Sequence, residues 1–247
     1  MVLNNFFKPL VVLGSSSCEV FDYIFGANDN YYPFWAGAWN ARNLIDDNNK
    51  IYLKSILEDI SRDANIFLGF GAIDIDFVLS VKYAHGFRDY EIFAHEISNG
   101  ISRTVKYLKE IGFINIYVTL VYLPVDEPDE YWRNEYNIQP CPIEFKAKTF
   151  ETLHNILLND IDLNVISAID PLKSSDGLYK LDNQFKREKS NNHADYIKIQ
   201  DIVWNAIKDI DDILPHRNPK HTRLYPFHST IIGDIMHNNT VRKRTCR

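Results

Sequence analysis

The chain has 247 residues, 45% of them apolar and 24% charged, with a formal net charge of −6, which is the composition of an ordinary water-soluble globular protein. Its apolar runs all fall short of the ~20 residues that cross a bilayer, and Met1 to Leu13 lacks the small-residue cleavage site of a signal peptide. Three widely separated cysteines (Cys18, Cys141 and Cys246) form no metal spacing, so reduced thiols and a cytoplasmic setting are expected.

The chain opens on a predicted strand over Pro9 to Leu13, an apolar run of the kind that a buried parallel strand requires. It breaks at Gly14-Ser15-Ser16-Ser17-Cys18, and Glu19 to Gly26 reads as a short helix. In open α/β sheets ligands collect at the carboxyl ends of the strands, so this turn places hydroxyls, a thiol and backbone N–H groups where chemistry is favoured. The same turn also reads as a plain βα connection whose serines cap the helix. Tyr31 to Asn40 is aromatic, a short strand followed by a loop.

Ile51 to Asp63 is a predicted helix and Asn65 to Phe70 a second buried strand. Ile92 to Ile111 has the apolar spacing of a long amphipathic helix stopped by Gly112. Phe113 to Tyr122 is the next strand, and Val125 to Pro142 a long acidic and aromatic segment of the length used for lids and binding loops. Phe145 to Asn159 is helical, Leu163 to Ile169 a strand, and His193 to Leu214 a final amphipathic helix.

Apolar runs alternating with amphipathic stretches argue for βαβ units and a mostly parallel sheet. No repeat or linker interrupts residues 1–214. Residues 215–247 differ, with seven Lys/Arg against one Asp, a net +6, leaving −12 on the body. Such a basic extension can bind an anionic polymer or fold back on its own acidic domain, and its apolar residues (Leu224, Tyr225, Phe227, Ile231, Ile232 and Ile235) favour the second. A homo-oligomer, if one forms, would form through this extension.

The order of elements and the residues at the strand ends resemble the SGNH (GDSL-like) hydrolase family. Gly14-Ser15-Ser16 stands where that family has Gly-Asp-Ser, and Gly37 stands at its second-block glycine. Gly71-Ala72-Ile73-Asp74 stands at its Gly-x-Asn-Asp block. The last of these also resembles the Phe-Gly-Glu-Ile-Asp variant of SGNH-like proteins associated with polysaccharide biosynthesis. The family's closing Asp-x-x-His has two half matches, Asp176-Gly177-Leu178-Tyr179 and Ser190-Asn191-Asn192-His193. The second is preferred because His193 opens the last helix.

The resemblance implies a three-layer α/β/α sandwich of flavodoxin-like SGNH type and a serine ester hydrolase or acyltransferase acting on an O-acylated sugar or similar small polar substrate. Ser16 would be the nucleophile and His193 the base, since a serine hydroxyl needs an adjacent base and the base an orienting group. Asp195, Asp176 or a backbone carbonyl could orient it. Gly14, Ser15, Gly37, Asn40, Gly71 and Asp74 would form the oxyanion and substrate-binding surroundings. The departures are Ser15 for the aspartate of Gly-Asp-Ser, Ile73 for the asparagine donor, and Ser190 for the acid of the last block.

Two further readings stand beside this one. A catalytically silent SGNH-like binding module follows from the same departures. A phosphate- or nucleotide-binding α/β protein would use Gly14 to Ser17 as an anion nest. Cys18 reads either as a nucleophile or as a small buried filler, and His85 and Arg88 as anion-binding groups or loop decoration. Trp35, Trp39 and Trp132 suit sugar stacking, a core or a lid equally. No cofactor or metal is expected, because no histidine pairs with acids at ligand spacing. Arg242-Lys243-Arg244 alone is too short a cluster to argue for nucleic acid.

Overall fold

A computed structural model describes residues 7–26, 28–35, 39–44 and 46–222. Five parallel strands form one sheet: β1 (Leu10–Gly14), β2 (Tyr31–Pro33), β3 (Asn65–Gly69), β4 (Asn115–Leu120) and β5 (Val165–Ser167). Their spatial order is β2-β1-β3-β4-β5, the doubly wound order in which the chain reverses direction across the sheet at β1 and β3. All five residues of β1 and of β3 are buried, which is why both read as unbroken apolar runs in the sequence.

Helices flank the sheet on both faces in a three-layer α/β/α sandwich, as the resemblance implied. They are α1 (Val20–Phe25), α2 (Asp47–Leu57), α3 (Leu79–Ala84), α4 (Tyr90–Glu110), α5 (Asp129–Tyr136), α6 (Ile143–Asn159) and α7 (Tyr196–Ile207). Helix α1 packs on α7, and α4 on α6. Carboxylates set several starts: Asp46, Asp89 and Asp195 accept from the N–H groups of Asn49, Ile92 and Ile197, satisfying donors that have no intrahelical partner. Helix α4 stops where Gly112 takes φ +102°, a conformation that glycine adopts without a Cβ penalty.

Several elements differ from the sequence expectations. The helix expected over Ile51 to Asp63 begins earlier, at Asp47 behind its Asp46 cap, and ends at Leu57. The strands expected over Phe113 to Tyr122 and Leu163 to Ile169 shorten to six and three residues. The last helix starts at Tyr196, because Asp195 and not His193 is its cap. The long segment after β4 holds α5, and a single π-helical turn (Asp74–Val78) precedes α3.

The end of β1 is packed against the end of β3. A Cβ on Gly14 would lie 2.3 Å from the Gly69 carbonyl oxygen and 2.4 Å from Cys18 Sγ. Gly14→Ala is therefore expected to cost about 1–3 kcal/mol of stability, read by denaturant unfolding. A loss below about 0.5 kcal/mol, the range of an unremarkable surface change, would mean that the two strand ends part freely. Residues after Leu214 turn back on the body: Arg217 N–H donates to the Ile24 carbonyl, Gln200 Nε2 to the His221 carbonyl, and Lys220 pairs with Asp201 at 2.6 Å. The tail beyond residue 222 lies outside the described residues.

Candidate active site

The β1 strand delivers Ser16 at its carboxyl end, on the side of the sheet where the chain reverses direction. Ser15 leaves the strand with extended backbone, and Ser16–Glu19 closes a 3₁₀ turn that runs into α1. Ser17, Cys18 and Glu19 of that turn are buried, and Ser16 is half-exposed. The Ser15 and Ser17 hydroxyls bond each other at 2.9 Å, and Tyr196 of α7 donates to the Ser16 carbonyl at 3.1 Å.

The segment before α7 brings His193 to the same place. The Ser16 hydroxyl donates to His193 Nε2 at 2.7 Å. On the other side of the ring, Nδ1–H donates to Asn191 Oδ1 at 2.9 Å, and the same oxygen accepts the His193 backbone N–H at 3.0 Å. This pairing fixes the tautomer: the proton on Nδ1 is held by an acceptor, which leaves Nε2 free to receive one.

Burial and the Arg187 guanidinium both disfavour imidazolium and push His193 from an ordinary 6.5 down to about 3. Arg187 is held nearby, its Nε on the Ala194 carbonyl at 3.0 Å and its guanidinium over the Tyr196 ring at 5.0 Å. An aspartate at the orienting position would oppose both effects; Asn191, being neutral, does not.

None of the three orienters expected from the sequence is used. Asp195 caps α7 through the N–H groups of Ile197 and Lys198, and Asp176 holds its own turn through Leu178 N–H and Lys180. Asn191 was missed because it is one of two adjacent asparagines in a polar run, offset by one position from the family's acid. The one available signal was that its amide oxygen, two residues before the histidine, can reach forward to accept that residue's N–H as in an Asx turn.

The expected surroundings divide. Gly14 and Ser15 belong to the turn just described. Gly71 adopts φ +110° and accepts from Ile75 N–H, and its missing side chain makes room for Leu153. Asp74 is fully buried and binds within the protein, accepting from Ala41 N–H at 2.8 Å and pairing with Arg42 Nε at 3.0 Å; its carboxylate tethers the loop before α2 and is not open to a ligand. Asn40 Oδ1 accepts from Asn43 N–H in that same loop. Ile73, half-buried at the family's asparagine position, offers no side-chain donor. Gly37 lies outside the described residues.

Other candidates resolve into structure. Cys18 is wholly buried with its thiol donated to the Gly69 carbonyl at 3.3 Å, and burial pushes its pKa far up, the reverse of what a thiol nucleophile needs. Arg88 binds the Tyr83 and Phe87 carbonyls and stacks on Tyr83 at 3.6 Å. Trp35 donates to Asp22, Trp39 meets Tyr52 and Phe70 edge-on, and Trp132 is 1% exposed, so all three tryptophans are used in packing. The open aromatic surface near the site belongs to α5, where a groove of about 520 Å³ runs between Tyr131, Tyr136, Arg187, Lys189 and the Ser190–Asn191 pair. Among the described residues no cluster of His, Cys, Asp or Glu could hold a metal ion, and no helix is long and apolar enough to cross a membrane.

No protein-family model and no curated protein matches the sequence. Solved structures do match the fold. One described as a "putative platelet activating factor" from Streptococcus pneumonia aligns with a TM-score of 0.53 at 15% identity, covering 84% of this chain and 86% of that one. A carbohydrate acetylesterase family member from Sinorhizobium meliloti aligns with a TM-score of 0.50 at 12% identity, covering 81% and 96%. These likenesses, together with the strand order, establish an SGNH-like fold.

Proposed function

We propose that this chain is an SGNH-type serine ester hydrolase or acyltransferase acting on an O-acylated sugar or a similar small polar substrate. The observation that carries the reading is the hydrogen-bonded series from Ser16 Oγ through His193 to Asn191, which has the nucleophile–base–orienter form of acyl-transfer sites. Ser16 Oγ attacks the acyl carbon as its proton passes to His193 Nε2. Negative charge develops on the acyl oxygen, facing the Ser16 N–H, one of the first-turn donors that have no intrahelical partner. His193 then returns the proton to the departing alcohol. Water, or an acceptor hydroxyl in the transferase case, releases the acyl group by the same steps. The groove beside Asn191, walled by tyrosines and polar side chains, supports a polyhydroxylated alcohol portion. Cys18 and Cys141, both free and buried, support a cytoplasmic setting.

The test is labelling by a fluorophosphonate, which forms an Oγ–phosphorus bond as fluoride leaves, with the adduct mapped by mass spectrometry. The expected result is an adduct on Ser16. With His193 held neutral down to about pH 3, labelling is expected to stay level from pH 8 to about pH 4, where an ordinary imidazole base would already be protonated below about 6.5. An adduct elsewhere overturns the reading.

A catalytically silent SGNH-like binding module is the second reading. It is favoured by Ile73 at the donor position and by the neutral Asn191 beside so weakly basic a histidine. A folded protein that forms no adduct at any pH selects it.

A further inference from the structure

Asn192 stands between the orienter and the base in sequence, and its own side chain points the other way, into α5. It is 6% exposed. Its Oδ1 accepts from the hydroxyls of Tyr131 and Tyr136, both at 3.2 Å, and its backbone N–H donates to the Tyr131 oxygen at 3.0 Å. Tyr131 thus closes a ring with Asn192, donating to the side chain and accepting from the main chain. The two tyrosine oxygens also lie 3.3 Å apart.

The helix that presents these hydroxyls is itself firmly seated. Trp132 is buried on the Lys146 ammonium at 3.9 Å, Lys146 pairs with Asp76 at 3.4 Å, and Phe77 meets Trp132 and Tyr136 edge-on. Asp76 and Phe77 belong to the turn that follows β3. A continuous set of packed and bonded side chains therefore runs from the sheet, through α5, to the peptide between Asn191 and His193.

We propose that Tyr131 and Tyr136 are positioning residues for His193, acting through Asn192; this rests on the serine hydrolase reading of the same site. The His193 ring has one neutral partner on Nδ1, and that partner sits on the same irregular loop. Neither the ring nor Asn191 can keep its place unless the peptide joining them is fixed. The tyrosine hydroxyls fix it from outside the loop, and they do so without touching Ser16 or His193.

The test compares the protein as it stands with Tyr131→Phe, Tyr136→Phe and the double variant, which keep the rings against Trp132 and Phe77 and remove only the hydroxyls. Two quantities are read: the fluorophosphonate rate at saturation set against its half-saturation concentration, and the His193 ring resonances in ¹⁵N-edited spectra without any probe. With a small fluorophosphonate that has no sugar portion to enter the tyrosine-walled groove, the saturating rate of the double variant is expected to fall roughly 10- to 100-fold, as misplacements of this kind do, with half-saturation unchanged. The Nδ1–H signal is expected to shift or broaden as that hydrogen bond loosens.

A double variant whose His193 resonances and rate match the parent overturns the proposal. If the double variant melts early, Tyr136→Phe alone decides, since that ring is 40% exposed and its hydroxyl contacts only side chains. A parent protein that takes no label removes the hydrolase reading but not the clamp, which the resonances then support if they move and overturn if they do not.

Discussion

His193→Ala is expected to slow acylation of Ser16 by roughly 10⁴- to 10⁶-fold, and Asn191→Asp to accelerate it by about tenfold or more. Both follow from where the serine proton goes. At 2.7 Å, Nε2 is the acceptor of the Ser16 hydroxyl, so its removal leaves an alcohol with no base. Asn191 holds the ring in the productive tautomer and gives the imidazolium no compensating charge, while burial and Arg187 oppose that charge. A carboxylate in the same place adds the missing charge and raises the pKa of the ring. The accelerated variant is therefore expected to acquire a pH dependence that the parent lacks, losing rate below a midpoint that has moved up toward 6.5. Stopped-time labelling over pH 4–8 reads both effects. An Asn191→Asp protein that is no faster and equally flat would show that the orienter does not limit proton transfer.

Glu19→Gln is expected to stabilise the fold by about 3 kcal/mol at pH 7. Glu19 lies on the same turn as Ser16 and is 0% exposed. Burial, only partly offset by Arg187, pushes its carboxyl from 4.5 up to about 10. The native protein then keeps a proton that the unfolded chain releases above pH 4.5. The stability from this group is complete below about 4.5 and is lost as pH rises toward 10. Asp22, raised by burial to about 7, adds a loss above its ordinary 3.8.

His193 works in the opposite sense: its folded pKa is lowered, so its contribution is present above 6.5 and is lost as pH falls toward 3. Summed over these three groups, wild-type stability should be greatest at about pH 4. Glutamine mimics the protonated acid and releases nothing, so its advantage should vanish near pH 4.5 and grow with pH. Urea unfolding at pH 4.5, 7 and 8.5 measures this, and an advantage of equal size at all three would place its origin outside proton linkage.

Much of the frame was legible in the residues. Leu10 to Leu13 and Ile66 to Leu68 could only be interior strands, because both of their faces are covered and no alternation survives. The meeting of Ser16 and His193 was legible from the family's order of blocks, although the sequence put His193 at the start of the closing helix and the structure puts it ahead of that helix. Helix α5 was not, since Trp132 is its one buried residue and stands in an acidic, polar run that suggests a loop. Its seat depends on Lys146 and Phe77, which are distant in sequence. Asp74 misled because a carboxylate at a strand end suggests a ligand until Arg42 and Ala41 are seen to occupy it. The exchange of roles between Asp195 and Asn191 could be decided only by the loop's conformation.

The two halves of the proposed catalytic pair, Ser16 and His193, lie 177 positions apart along the chain. During synthesis, Ser16 leaves the ribosome long before its base exists, and it remains an ordinary alcohol while the sheet is laid down. The pair assembles only when α7 docks on α1, with Tyr196 closing over the Ser16 carbonyl. Reactivity at Ser16 therefore reports on completion of the whole body: chains ending before residue 193, or nicked and separated ahead of α7, should be silent toward the probe even where their amino-terminal strands have paired.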